Sequence, residues 1–471
     1  MGTIIALFAA FIIYTIYVIG DVKILSGGSD KAVIINNAQI DGWTNGSKAW
    51  EFFANTGWST IDRSMTVLQG VSRGVVYQDI KPSITSIEAW EIKIINSRNK
   101  IEVLPEKDEK TQQIIKQLYA QADIKSLVSD REKGPEQMNG YSRIWADSLV
   151  YDSATKTSQV EGNIRIKDNN REIFASKMEI NNADRTAKIT ELARIYGKNF
   201  KLVGNNMTSY LKEDRISVEN DVCLILRHKK NITRIYCDKL DYFSKTNNSN
   251  MSGKIRIIRK DMITFANSGY YDDNAKRLDV DGNVRATITK NKKTTKISCD
   301  KAKFDTSTND ILCTGNIEIY QHGKMAVSKT CKYDSNSDKV TLIGDVRVVI
   351  EKGHTLIKKE SADKLRDPEV RQSLREKTTI TADQFEISAT KGDTVASGNV
   401  VVAQNGKLSK SDTAKYDEKK EDIIMTDNVY MEKEGQWVKT NKIIVSVKNE
   451  TFDAIGNVET KFIFKEKKNM P

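Results

Sequence analysis

The sequence predicts an all-β fold, a solenoid-like stack of repeats about 29 residues long. Three observations predict it. A signature of a small residue, an Asn or Asp, and a β-branched residue recurs along most of the chain. An aromatic or aliphatic residue stands eleven positions before each signature. Between these landmarks apolar and polar residues alternate with period two, the pattern of a strand with one dry and one wet face.

Residues 3–19 are apolar and uncharged, just long enough to span a bilayer as a helix. Residues 14–20 offer no small-residue cleavage site, so 1–20 is expected to be an uncleaved transmembrane anchor. A β-region is expected over 30–105. Over 109–128, Ile114, Ile115, Leu118, Tyr119, Ile124 and Leu127 fall at helical spacing. The stretch 106–135 is therefore read as an amphipathic helical connector. The repeat stack is expected over 140–467.

Within the stack the signature reads Gly162-Asn163-Ile164, Asn220-Asp221-Val222, Gly253-Lys254-Ile255, Gly282-Asn283-Val284, Gly315-Asn316-Ile317 and Gly344-Asp345-Val346. It continues as Gly398-Asn399-Val400, Asp427-Asn428-Val429 and Gly456-Asn457-Val458, with a degenerate copy at Glu191-Leu192-Ala193. Successive steps are 29 or 33 residues except one of 54 between Gly344 and Gly398. That step holds an insertion at 360–377, where Asp367 and Pro368 suit the N-cap and first position of a short helix. The residues eleven before are Tyr151, Ile180, Leu211, Tyr242, Tyr271, Phe304, Tyr333, Ile387, Tyr416 and Val445. Polar stretches such as Asp152–Thr155, Asp272–Ala275 and Asp334–Ser337 follow them and read as turns between antiparallel strands. No single copy can bury its apolar face, whereas stacked copies bury it together.

After each signature the expected inward residues are Ile164, Ile166, Val222, Leu224, Ile255, Ile257, Val284, Ile317, Ile319, Val346, Val348, Val400 and Val402. Their neighbours Arg165, Arg256, Glu318 and Arg347 are polar. The repeat glycines Gly162, Gly253, Gly282, Gly315, Gly344, Gly398 and Gly456 fall on the same side by parity, where a missing side chain marks a bulge or a close approach.

Copies such as Ser411–Asp417 followed by Met425–Val429, and Ala396–Val400, resemble the strand pairs of the OstA-like domain of the lipopolysaccharide-transport proteins LptA and LptC. The likeness covers about 140–465. The amino-terminal layout of helix followed by β-region is similar to LptC, and Ile61–Val71, with Gly70 near its end, resembles a further, diverged copy. The resemblance implies a twisted β-jellyroll with an apolar interior that takes the acyl chains of lipopolysaccharide or a related glycolipid. It implies as partners an inner-membrane ABC transporter complex and an outer-membrane assembly protein or other OstA-like modules. The chain would sit in the inner membrane by one span, with its bulk in the periplasm. The inward residues would line the lane and the glycines set its width.

The same apolar positions would equally form the dry core of a structural or adhesive envelope solenoid. No enzyme, cofactor or metal site is expected. His228, His322 and His354 are the only histidines and none stands at metal-ligand spacing. The net charge of +11 comes from 74 basic and 63 acidic residues interspersed without a basic tract, which argues against nucleic-acid binding. The five cysteines form no CxxC pair. Cys299 and Cys313 flank a turn near Thr306 and could face each other, as a disulfide or as buried thiols. A free strand edge is expected over 457–464.

Overall fold

The computed structural model describes residues 21–23, 31–44, 46–78, 81–122, 142–167, 171–228, 231–290, 293–351, 365–388 and 393–463. Among these the fold is all-β, with antiparallel strands, one 3-10 turn at Asn96–Arg98 and one short helix at Pro368–Ser373. The expected anchor at 1–20 lies outside the described residues, among which no helix is long and apolar enough to cross a membrane. The chain divides into two compact units: Met1–Ile225 with Asp238–Asn247, and Leu226–Cys237 with Asn248–Pro471.

In the first unit Lys31–Thr44, Ser47–Thr60, Met65–Gln78 and Lys81–Ile95 pair in sequence. The described part of the expected helical connector is not helical. Glu106–Lys107 pairs with Ile114–Lys116, and Leu118–Ala122 lies between Lys81–Ile95 and Ser142–Ala146. Leu118 and Ala120 are buried at strand spacing, while Ile114 and Ile115 of the supposed helical stripe are exposed. Two flanking strands with open backbone groups outweigh a helix that would be marginal alone. Residues 123–141 lie outside the described ones. Lys100–Leu104 also pairs with Ser148–Asp152, so the connector does not separate two bodies.

In the second unit the strands form a meander. From Asn248–Arg259 through Met262–Asp272, Arg277–Lys290, Lys293–Asp305, Ile311–Gln321, Lys324–Asp334 and Lys339–Ile350, each pairs with the next. The series resumes with Thr378–Ser388 and runs to Gln436–Ser446. Each of these pairings shifts register where the signature falls, as between Thr314 and Ile317 or Ser397 and Val400. There the backbone turns a corner through two consecutive left-handed residues, φ 76° at Gly315 and 41° at Asn316. Glycine and then asparagine are the residues for which that conformation costs least, so the recurring signature is a backbone requirement. In the first unit Gly70 is a single left-handed residue at the comparable place, with φ 64° and its missing side chain aimed at Asn55. The degenerate copy at 191–193 is instead a break between the strands Thr186–Ile189 and Ala193–Tyr196.

The corners leave each bent strand with two ends of different chemistry. One edge carries two-residue turns, His322-Gly323, Asn405-Gly406 and Glu434-Gly435, with both φ values positive, the conformation that matches strand twist in hairpins. The other edge carries longer turns opened by aspartate. Asp334 Oδ1 accepts from Ser337 N and Asn336 N, which holds its carboxyl below the usual carboxylate range. These long turns stack, Thr306 N donating to Lys276 O at 2.8 Å and Val447 N to Glu421 O at 3.1 Å.

Candidate functional site

Of the expected inward residues, Ile164, Ile166, Val222, Leu224, Ile255, Ile257, Val284, Ile317, Val346, Val348 and Val400 are buried; Ile319 and Val402 are half-buried. Arg165, Arg256, Glu318 and Arg347 are exposed. In the second unit the first inward residue after the signature faces a small one on the next strand: Ile255 pairs with Ala266, Val284 with Cys299, Ile317 with Ser328, Val346 with Ala382 and Val400 with Ser411. Directly opposite residues share a face and touch, so large and small side chains alternate along the inner corner. The small positions stand sixteen residues before the next glycine, a periodicity visible in the sequence at Cys237 and Cys299.

The glycines do not set the width of the interior, as the resemblance had implied. A side chain at Gly162, Gly315 or Gly398 would run into Asp147, Asp300 or Asp383, fifteen residues upstream on the neighbouring strand. Asp300 and Asp383 are exposed and Asp147 half-buried, and each accepts from the asparagine that follows the glycine: Asn163 Nδ2 to Asp147 at 2.8 Å, Asn316 to Asp300 at 2.9 Å and Asn399 to Asp383 at 3.0 Å. Lys329 and Asp345 make the equivalent contact as an ion pair at 2.7 Å. The two left-handed residues turn the glycine toward this outer ladder, away from the interior.

The mouth of the second unit, opposite the corners, is closed in its first half by side chains. His228 and Asn231, at the two-residue-turn edge, reach the long-turn edge: His228 Nε2 lies 2.8 Å from Tyr271 Oη, and Asn231 Nδ2 donates to Ser307 O at 3.0 Å. Arg259 Nη2 donates to Asp305 O at 3.2 Å and to Asn309 Oδ1. Behind this seam lies a residual cavity of ≈ 20 Å³ lined by Met262, Val284, Ile297, Ala302, Phe304 and Cys313, room for about one water molecule. Further along, the insertion bridges the same two edges. Arg366 N and Asp367 N donate to Glu450 Oε1 at 2.6 and 3.0 Å on a long turn. Gln404 Nε2 donates to Ser373 O at 2.9 Å at a two-residue turn.

All five cysteines are free. Cys299 and Cys313 are joined by a thiol hydrogen bond, not a disulfide, and Cys313 pairs in register with Cys331. The bond to Cys299, then burial, pushes the Cys313 thiol up, and burial pushes Cys331 up to about 12. Both stay protonated and poor nucleophiles. Burial holds His228 below the usual imidazole value, aided by nearby Lys276. Among the described residues no group of three His, Cys, Asp or Glu side chains is arranged to hold a metal ion.

Residues 143–339 match the family described as LptA/(LptD N-terminal domain) LPS transport protein. That stretch carries an OstA-like lipopolysaccharide-transport domain. No curated protein matches the chain significantly. Among solved structures, the chain is similar to LptH, the LptA homologous periplasmic component of the conserved lipopolysaccharide transport device from Pseudomonas aeruginosa. The identity is 12%, over 36% of this chain and 94% of that one, with a TM-score of 0.20.

Proposed function

We propose that this chain, which carries an OstA-like lipopolysaccharide-transport domain, is a membrane-anchored periplasmic bridge that carries lipopolysaccharide from the inner to the outer membrane. Its acyl chains would run in the apolar interior. The observation that carries the reading is the inner row formed by the first residue after each corner from Ile255 to Val400, buried and apolar, with polar residues facing out. Each methylene kept from water on such a path is worth about 0.8 kcal/mol, so a path needs no catalytic group. Residues 1–20 would supply the anchor. The strands Thr451–Ile455 and Glu459–Lys461 pair on one side with Gln436–Ser446, and Phe452, Ile455, Val458 and Phe462 beside them are exposed. That edge suits strand addition by another OstA-like module or an outer-membrane assembly protein.

One observation favours the second reading, a structural envelope solenoid with a dry core. The interior behind the seam holds about one water's volume. Photocrosslinking in cells from inward Ile317 and outward Glu318 separates the two. Lipopolysaccharide adducts at Ile317 alone are expected of the transport reading. A folded, anchored protein with no adduct at either position would overturn it.

A further inference from the structure

We infer that Arg259 is the anchor for a phosphate group of an acylated glycolipid, which docks at the seam while an acyl chain enters the interior beside it. The inference rests on the transport reading and names a point on its path.

Arg259 is 9% exposed, yet among the described residues no carboxylate is hydrogen-bonded to it. Its partners are the Asp305 carbonyl and Asn309 Oδ1, with the Phe304 ring 5.9 Å below the guanidinium. The nearby Asp305 carboxylate is committed to its own turn, accepting from Ser307 N at 2.7 Å, Ser307 Oγ at 2.6 Å and Thr308 N at 2.9 Å. A buried cation is ordinarily paired. The hydrogen-bond acceptors of this one are neutral; burial works against its charge, and the Asp305 carboxylate nearby offsets that only in part.

Both hydrogen bonds leave from Nη2. A guanidinium offers five donors in a planar fork, so Nε and Nη1 remain for an incoming anion, in the geometry that suits bidentate phosphate recognition. Phe304 lies under the guanidinium and also lines the apolar cavity. The cation therefore stands at the rim of the interior, where an amphiphile's charged head meets its tail. The cavity is too small for an acyl chain, so the seam must part to admit one. Arg259 is itself one of the contacts that hold it shut, and a phosphate that drew the guanidinium away from Asn309 would loosen the closure at the point of docking.

The test uses the full chain in detergent micelles, with diphosphorylated lipid A and the same lipid A after phosphatase treatment as probes. The wild type is expected to bind the phosphorylated form about tenfold more tightly, the factor that one charge-assisted hydrogen bond supplies. Arg259→Gln should bind both forms alike, at the affinity of the dephosphorylated one, and Arg259→Lys should keep part of the preference. Asn309→Ala, which leaves the charge in place, should keep the preference and tighten binding. Displacement of the lipid by millimolar inorganic phosphate would assign the site to free phosphate and overturn the inference, as would a preference that survives in Arg259→Gln. Equal binding of both lipids by the wild type overturns this inference alone; binding of neither overturns the transport reading with it.

Discussion

Within the second unit, the strands of 248–350 and those of 378–463 share one repeat, one corner and one meander, yet they bury their interiors to different degrees. In the first stretch Ile255, Ile257, Val284, Ile317, Val346 and Val348 are buried and Ile319 alone of the inward row is half-buried. In the second, Val400 is buried but Val402, Leu408, Ile423, Met431 and Val438 are half-buried. A small core of Met425, Val429 and Ile443 persists there, packed on partly exposed neighbours. The signature is not the cause, since Gly398-Asn399 turns the same corner as Gly315-Asn316. The difference lies at the mouth. In the first stretch His228, Asn231 and Arg259 draw the two edges together directly; in the second a six-residue helix, about 9 Å long, stands between them. Closure of the mouth, more than the inner sequence, sets how dry the interior is.

The largest effect expected to separate the two stretches is a charge placed on the inner row. Val346 is 1% exposed and packed opposite Ala382, so Val346→Asp leaves an unpaired buried carboxylate and should cost more than about 3 kcal/mol. Val402→Asp, half-solvated from the start, should cost about 1 kcal/mol and still impair lipid adduct formation. Arg347→Glu, facing water, should stay within about 0.5 kcal/mol. Urea midpoints followed by circular dichroism read all three. Equal losses at 346 and 402 would mean that the two interiors are equally closed.

The corners were legible in the sequence because a left-handed pair demands particular residues at a fixed interval, and the same interval carries the small residues and aspartates one strand upstream. The inner row was legible for the same reason. Ile319 and Val402 came out wetter than their parity implied, because parity gives a side chain's direction and says nothing of what covers it. The strand Leu118–Ala122 was misread because Leu118 and Tyr119 satisfy helical spacing, whereas the alternation that governs the strand runs through Leu118 and the small Ala120, and its partner Ser142–Ala146 lies too far along the chain to enter a local pattern. The seam was not legible at all. Asn231 and Ser307 stand 76 residues apart, with no repeat to relate an asparagine at one turn to a carbonyl at another.

An intermediate effect is expected at the corners themselves. Gly315→Ala forces a Cβ into a left-handed residue and against the Asp300 carboxylate that Asn316 needs. Gly456→Ala has the same backbone penalty at φ 78°, but its nearest neighbour is the Asn441 side chain at 3.4 Å. About 2–3 kcal/mol is expected at 315 against about 1 kcal/mol at 456. Gly323, with φ 74° and open space around it, isolates the backbone part. Thermal denaturation of the three alanine variants measures the difference, and a Gly315 variant no worse than the Gly323 one would remove the ladder from the account.

The smallest effect is a pH dependence confined to the first stretch. Besides Tyr271 Oη, which it touches, His228 has Lys276, Asp273 and Asp305 as its charged neighbours, and burial, the largest influence, holds its pKa below the usual value. A group whose folded pKa is depressed binds fewer protons folded than unfolded. Stability is therefore unaffected well above the unfolded value of about 6.5, and falls as pH drops through that value toward the folded one. One imidazole can contribute a slope of at most about 1.4 kcal/mol per pH unit. The strands of 378–463 contain no histidine. Hydrogen exchange between pH 7.5 and 5.5 should thus show protection falling in Met262–Asp272 while Lys407–Asp417 holds steady, and His228→Gln should abolish the contrast. Matching losses in both strands would trace the pH response to groups common to every repeat and not to the His228 imidazole at the seam of the first stretch.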